Sequence, residues 1–79
     1  MTIRVKFFAS LRERLGRDDL ELPAEGIATV ADVWARAVPD EPLSGQVLMS
    51  VNMEYAQADR SVRDGDEVAF FPPVTGGAA

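Results

Sequence analysis

The residues whose types could do chemistry lie near the end of the chain, in the stretch DGDEVAFFPPVTGGAA, residues 64–79. Gly76 and Gly77 carry no Cβ, so their backbone can enter a narrow tunnel and come close to a nucleotide or a nucleophile. A carboxylate on such a glycine is sterically open. It could be adenylated by a partner that consumes ATP, and its carbonyl then attacked by a sulfur or an amine. Every catalytic group would lie in that partner. Pro72 and Pro73 suit this use, because they end strand pairing and hold the chain extended, leading Val74, Thr75 and the glycines off the domain. From Phe71 to Gly77 the chain can reach about 20 Å, at roughly 3.4 Å per residue. The competing reading is an ordinary frayed end.

Other chemistry is sparse. The 79 residues include no Cys and no His, which removes disulfides, thiolate metal sites, the commonest metal nitrogen and the commonest acid–base group. A free-standing enzyme would have to rely on Asp59, Asp64, Asp66 and Glu67, acids beside a turn and a strand start, where solvated carboxylates are ordinary. The run Asp64-Gly65-Asp66-Glu67 lacks the spaced ligands of a calcium loop, so no metal is expected. A net charge of −5 opposes a nucleic-acid partner and suits either a basic groove or simple solubility. No apolar run approaches the ~20 residues of a membrane span and no signal-peptide pattern opens the chain, so a cytoplasmic location without membrane attachment is expected.

The elements that must position the tail read as follows. The stretch TIRVKFFAS alternates, with Ile3, Val5 and Phe7 on one face, a strand with one buried side. SLRERLG reads as a short helix, with Ser10 and Glu13 at capping-box spacing and Gly16 as the left-handed stop. DLELP gives a second strand, Leu20 and Leu22 inward. TVADVWARAVPD is the main helix: Thr29 caps it, Asp32 sits in its first turn, and Val30, Val33, Trp34 and Ala37 form one apolar stripe. Trp34 in that stripe reads as a core anchor. A third strand runs to about Asn52, a tight reversal falls near Met53-Glu54, a short fourth strand holds Tyr55, and the final strand covers residues 66–71.

Five strands around one main helix make an α+β pattern, a mixed sheet with the helix on one face. The most apolar strands, the first and the last, are expected to be adjacent and parallel, joined by a crossover containing the helix. That is the β-grasp arrangement, over residues 1–71, with residues 72–79 as a flexible tail. If Val68 and Phe70 point inward, Phe71 points outward, and so does Phe8. The two would share the helix-free face as a docking patch, unless a loop or the short helix covers one of them.

The segments VKFFASLRE, VNMEYA and DGDEVAFFPPVTGG, at their spacing here, resemble the small subunits of molybdopterin synthase, a family of ubiquitin-like sulfur carriers. The resemblance spans nearly the whole chain and is densest over residues 64–77. It implies a β-grasp domain with no bound cofactor, whose terminal glycine is adenylated by a ubiquitin-activating-type enzyme using ATP. The glycine then takes sulfur from a donor protein as a thiocarboxylate and passes it to the pyranopterin precursor in the large subunit. Two small subunits flank a large-subunit dimer in that family, a heterotetramer. It also implies that Gly77 is the acyl carrier, that Gly76 accompanies it through the channel, and that Phe8, Arg12 and Phe71 contact partners.

Ala78-Ala79 depart from the family pattern, which ends at the second glycine. With them attached, Gly77 holds a peptide bond where the carboxylate belongs. A tail-trimming peptidase removes them, or they were added to the natural chain, or the protein carries nothing. Rival functions are a carrier for thiamine, cysteine or tRNA sulfur, a protein modifier, or a non-covalent adaptor. The chain has a single lysine, Lys6, which disfavours modifier chains.

Overall fold

The computed structural model describes residues 2–43 and 45–72. Seven elements follow in order: β1 Thr2–Phe7, α1 Ala9–Leu15, β2 Asp19–Pro23, α2 Val30–Ala37, β3 Leu48–Val51, β4 Glu54–Ala56 and β5 Glu67–Phe71. The five strands form one sheet in the order β2-β1-β5-β3-β4. β1 and β5 are parallel neighbours, with Val5 opposite Val68 and Phe7 opposite Phe70. The other pairings are antiparallel. This is the expected mixed β-grasp sheet, and the parallel central pair exists because the crossover between its strands contains both helices.

Alternation in β1 and β5 decides which face is covered. Ile3, Val5, Phe7, Val68 and Phe70 are all buried beneath α2. Trp34 of α2 meets Phe70 edge-on at 5.0 Å and 74°, and Phe7 at 6.3 Å and 77°, while Phe7 and Phe70 stack at 5.8 Å. The Trp34 indole N–H donates to the Glu41 carbonyl at 2.8 Å, so the ring is buried without an unpaired donor. Glu41 in turn accepts two bonds from the Arg14 guanidinium, 2.6 and 2.7 Å, which ties α1 to the loop after α2.

The helix ends divide the expectations. Thr29 caps α2 in a complete capping box: its side chain accepts from Asp32 N–H, and the Asp32 carboxylate accepts from Thr29 N–H at 3.1 Å and Ala28 N–H at 2.9 Å. Those two backbone bonds hold the Asp32 carboxyl below the usual carboxylate value. The capping box expected at Ser10 and Glu13 does not form. Instead α1 begins at Ala9, two residues before a helix capped by Ser10 would, with Phe8 in the cap position and no side-chain cap bond. Phe8 N–H donates to the Phe70 carbonyl at 3.2 Å, so sheet pairing fixes the helix start and overrides the local cap signal. Gly16 closes α1 in the left-handed conformation, as its position suggests.

The β3–β4 reversal falls at Asn52-Met53, one residue earlier than Met53-Glu54. Both residues have positive φ, 52° and 72°. Two such residues between paired Val51 and Glu54 make a type I′ hairpin, whose twist matches that of its strands. Asn tolerates the left-handed region; a Met there costs on the order of 1 kcal/mol.

Candidate functional site

The uncovered face of the sheet carries the alternate residues of the same strands. In register across it lie Lys6, Ala69, Ser50 and Tyr55, with Phe71 and Leu48 one row further along. Ala69 and Ser50 are small and buried, and they floor a groove of about 390 Å³. Its walls are the Phe8–Phe71 pair, Tyr55 and Met53, and the Lys6–Glu67 ion pair at 3.3 Å. Phe8 and Phe71 stack nearly parallel at 4.9 Å and 7°, and Tyr55 leans toward Phe71 at 6.4 Å. Phe8, Met53 and Tyr55 are the exposed large apolar residues among those described, at 40%, 91% and 78%. A groove with a small-residue floor and aromatic walls is shaped to receive an apolar side chain from a partner. A larger hollow of about 600 Å³ at the β3–β4 edge is walled by neither Phe8 nor Phe71.

Two pieces of backbone hold this face in place. Phe8 is still extended and its N–H bond to the Phe70 carbonyl lays it against β5, after which Ala9, with φ 54°, turns the chain into α1. On the far rim, Asn52 is bonded three ways: its N–H donates to the Glu67 carbonyl (2.8 Å), its side-chain amide donates to Asp66 Oδ1 (3.0 Å), and its Oδ1 accepts from Glu67 N–H (3.0 Å). Asp66 also accepts from Arg63 N–H at 2.8 Å. The Asn52 amide foremost, with Arg63 N–H and the charges of Arg63 and Arg60, holds the Asp66 carboxyl below the usual range against an opposing contribution from burial.

Of the residues expected to meet partners, the structure brings Phe8 and Phe71 into direct contact on the uncovered face. Arg12 lies one helical turn after Phe8, exposed, and forms no ion pair among the described residues. Pro72 follows Phe71 at the end of β5 and is half-buried. Pro73, Val74, Thr75, Gly76 and Gly77 lie outside the described residues, as do Ala78 and Ala79, so the expected flexible tail is not part of this geometry. Asp66 and Glu67 are occupied by Asn52 and Lys6, which accounts for two of the acids without invoking catalysis. Among the described residues no helix is long and apolar enough to cross a membrane.

Tyr55 and Met53 belong to the groove but carry no sequence signal of it. β4 is only three residues long, too short to display a period, and moving the reversal by one residue swaps the faces of everything after it.

Comparison with known proteins agrees with this geometry. The ThiS family matches residues 5–77, a range that stops on the second glycine. The molybdopterin synthase sulfur carrier subunit of Escherichia coli K12 is 43% identical over 84 aligned positions, covering 95% of this chain and 99% of that one. The crystal structure of SAMP1 from Haloferax volcanii superposes with a TM-score of 0.78 at 31% identity, covering 98% of this chain and all of that one. A protein–protein complex of subunits 1 and 2 of molybdopterin-converting factor from Helicobacter pylori contains the same fold, at TM-score 0.65 and 20% identity over 94% of this chain and 96% of that one. By its fold, and by a match running from the first strand to the paired glycines, this chain belongs to the ThiS family.

Proposed function

We propose that this protein is the sulfur carrier subunit of a molybdopterin synthase. The observation that carries the proposal is the near-full-length similarity to a sulfur carrier subunit together with a family match that ends on Gly77. In this reading the Gly77 carboxylate attacks the α-phosphorus of ATP in an adenylating enzyme of the ubiquitin-activating type, giving the acyl adenylate and releasing pyrophosphate. A persulfide sulfur on a donor protein then attacks the acyl carbon and displaces AMP, and a second thiol reduces the resulting acyl disulfide, forming a disulfide with the donor and leaving the thiocarboxylate. Docked on the large subunit, the carrier gives that sulfur to the pyranopterin precursor. The described domain supplies no reacting group. Its contribution is to hold Phe8, Phe71 and Arg12 where a partner can seat on them, and to launch residues 72–77 toward the partner's site, about 20 Å away at full stretch.

The chemistry requires a free carboxylate on Gly77, so Ala78-Ala79 must be removed first, by a peptidase in this proposal. The test uses the activating enzyme, ATP and intact mass. The full-length chain should stay unmodified, whereas a version ending at Gly77 should gain AMP and, with the donor present, exchange oxygen for sulfur. Activation of the full-length chain would refute the trimming step. Failure of the Gly77-terminated chain to gain AMP would refute the carrier reading itself.

A second use as a protein modifier is favoured by one observation, the likeness to small archaeal modifier protein 1 of Haloferax volcanii, 32% identical over 91% of this chain. With Lys6 as the only lysine, and that one paired with Glu67 on the docking face, conjugation would add single copies to other proteins and build no chains.

A further inference from the structure

Strain in this domain is not scattered. Among the described residues, three that are not glycine have positive φ: Ala9, Asn52 and Met53. All three flank the uncovered groove. Ala9 directly follows Phe8, and Asn52-Met53 forms the turn that leads into Tyr55. Backbone strain retained against local preference tends to collect where a surface must be presented in one fixed geometry.

Met53 is the sharpest case. The second central position of a type I′ hairpin favours Gly, and Asn-Gly is the preferred pair. Here Asn is present and Gly is replaced by a long apolar side chain, 91% exposed. Neither turn formation nor core packing explains that choice, since Met53 lies outside the buried cluster. The turn is nevertheless rigid, because Asn52 is bonded to Asp66 and to Glu67 in three places. An adaptable thioether side chain is thus held at the rim of a groove opposite Phe8, and such a side chain suits a binding surface.

We infer that Met53 is a partner-contact residue of the docking face, and that the strained turn is retained to present it to the large-subunit partner. The inference rests on the proposed function for the identity of the occupant. Position supports that occupant: the groove runs from Met53, beside the Glu67 end of β5, to Phe71, from which the chain continues to Gly77, so a protein that receives the glycine within about 20 Å covers the Phe71 end and reaches Met53 by filling the groove.

The test measures melting temperature and affinity of the full chain for the large subunit of molybdopterin synthase from the same organism. The variants are Met53→Gly, which relaxes the turn, and Met53→Asn, which keeps the left-handed preference but removes the apolar group, with Phe71→Glu as reference. Both Met53 variants should melt at or above the wild-type temperature and bind about tenfold more weakly. Wild-type affinity in both, with binding lost in Phe71→Glu, would overturn the role of Met53 and leave the docking face standing. Wild-type affinity in Phe71→Glu would instead remove the docking face and this inference with it. If the wild-type chain alone sediments as a dimer that both Met53 variants break, with affinity for the large subunit unchanged, the groove belongs to a second copy and the inference is overturned.

Discussion

Phe7 and Phe8 are neighbours in sequence, as are Phe70 and Phe71, and each residue of the first pair stacks on its counterpart in the second. Phe7 and Phe70 meet at 5.8 Å, Phe8 and Phe71 at 4.9 Å. The inner pair is sealed by Trp34, with Phe7 at 2% exposure and Phe70 at zero. The outer pair has no helix above it, and Phe8 keeps 40% of its surface in water. One step along a strand, 180° per residue, therefore moves the same side chain from core to surface. The inner aromatics are core; the outer ones stay accessible on the uncovered face.

The largest expected effect tests the inner half of that contrast. Phe70→Ala removes a fully buried ring from the contact between Phe7 and Trp34, and should cost about 3–5 kcal/mol. For a domain of this size that corresponds to a melting temperature lower by roughly 12–40 °C. A thermal scan by circular dichroism reads it. A fall of only a few degrees would mean that the inner face is no more structural than the outer one.

The same contrast explains what was legible in the sequence. Long alternating segments revealed their buried side at once: Ile3, Val5, Phe7, Val68 and Phe70 all fall where their period puts them, and the stripe of α2 with Trp34 does likewise. From these the central parallel pair and the fold class follow. The outward direction of Phe8 and Phe71 was legible as the remainder of that alternation. What stayed hidden is set by contacts between distant segments. The start of α1 is decided by the Phe8–Phe70 backbone bond, and the β3–β4 turn by the Asn52 bonds to Asp66 and Glu67. Tyr55 and Met53 joined the site only through that turn.

A smaller effect comes from acid. Asp32 and Asp66 both have folded-state pKa values below the ordinary carboxylate value, Asp32 through Ala28 and Thr29 N–H and Asp66 foremost through the Asn52 amide. A depressed carboxylate stabilises the fold above its unfolded pKa, near 3.9, and that contribution is lost as pH falls through the folded value. Stability should hold from neutral pH down to about 4 and decline below it. Asp66→Asn should cost about 1 kcal/mol at neutral pH, through the bonds it makes to Asn52 and Arg63. It should also flatten the acid decline, as denaturant titrations at a series of pH values would measure. Because Asp66 anchors the rim of the groove, the variant should weaken partner binding as well, whereas Asp32→Asn, on the helix side, should affect stability alone. Equal loss of binding in both variants would erase the distinction between the faces.

The smallest expected change in stability is paired with the largest expected change in association. Phe71→Glu breaks the outer stack and lays a charge on the uncovered face, yet it leaves Val68 and Phe70 in their places beneath α2. Its unfolding free energy should fall by less than about 1 kcal/mol, the value of one partly exposed aromatic pair. Its affinity for the proposed large-subunit partner should be lost, since the substitution removes the ring that stacks on Phe8 and puts in its place a charge that docking would desolvate. Thermal melting and calorimetric titration on one sample separate the outcomes. A variant that unfolds would place Phe71 in the core; a variant that melts like wild type and still binds would show that the outer pair is surface and nothing more.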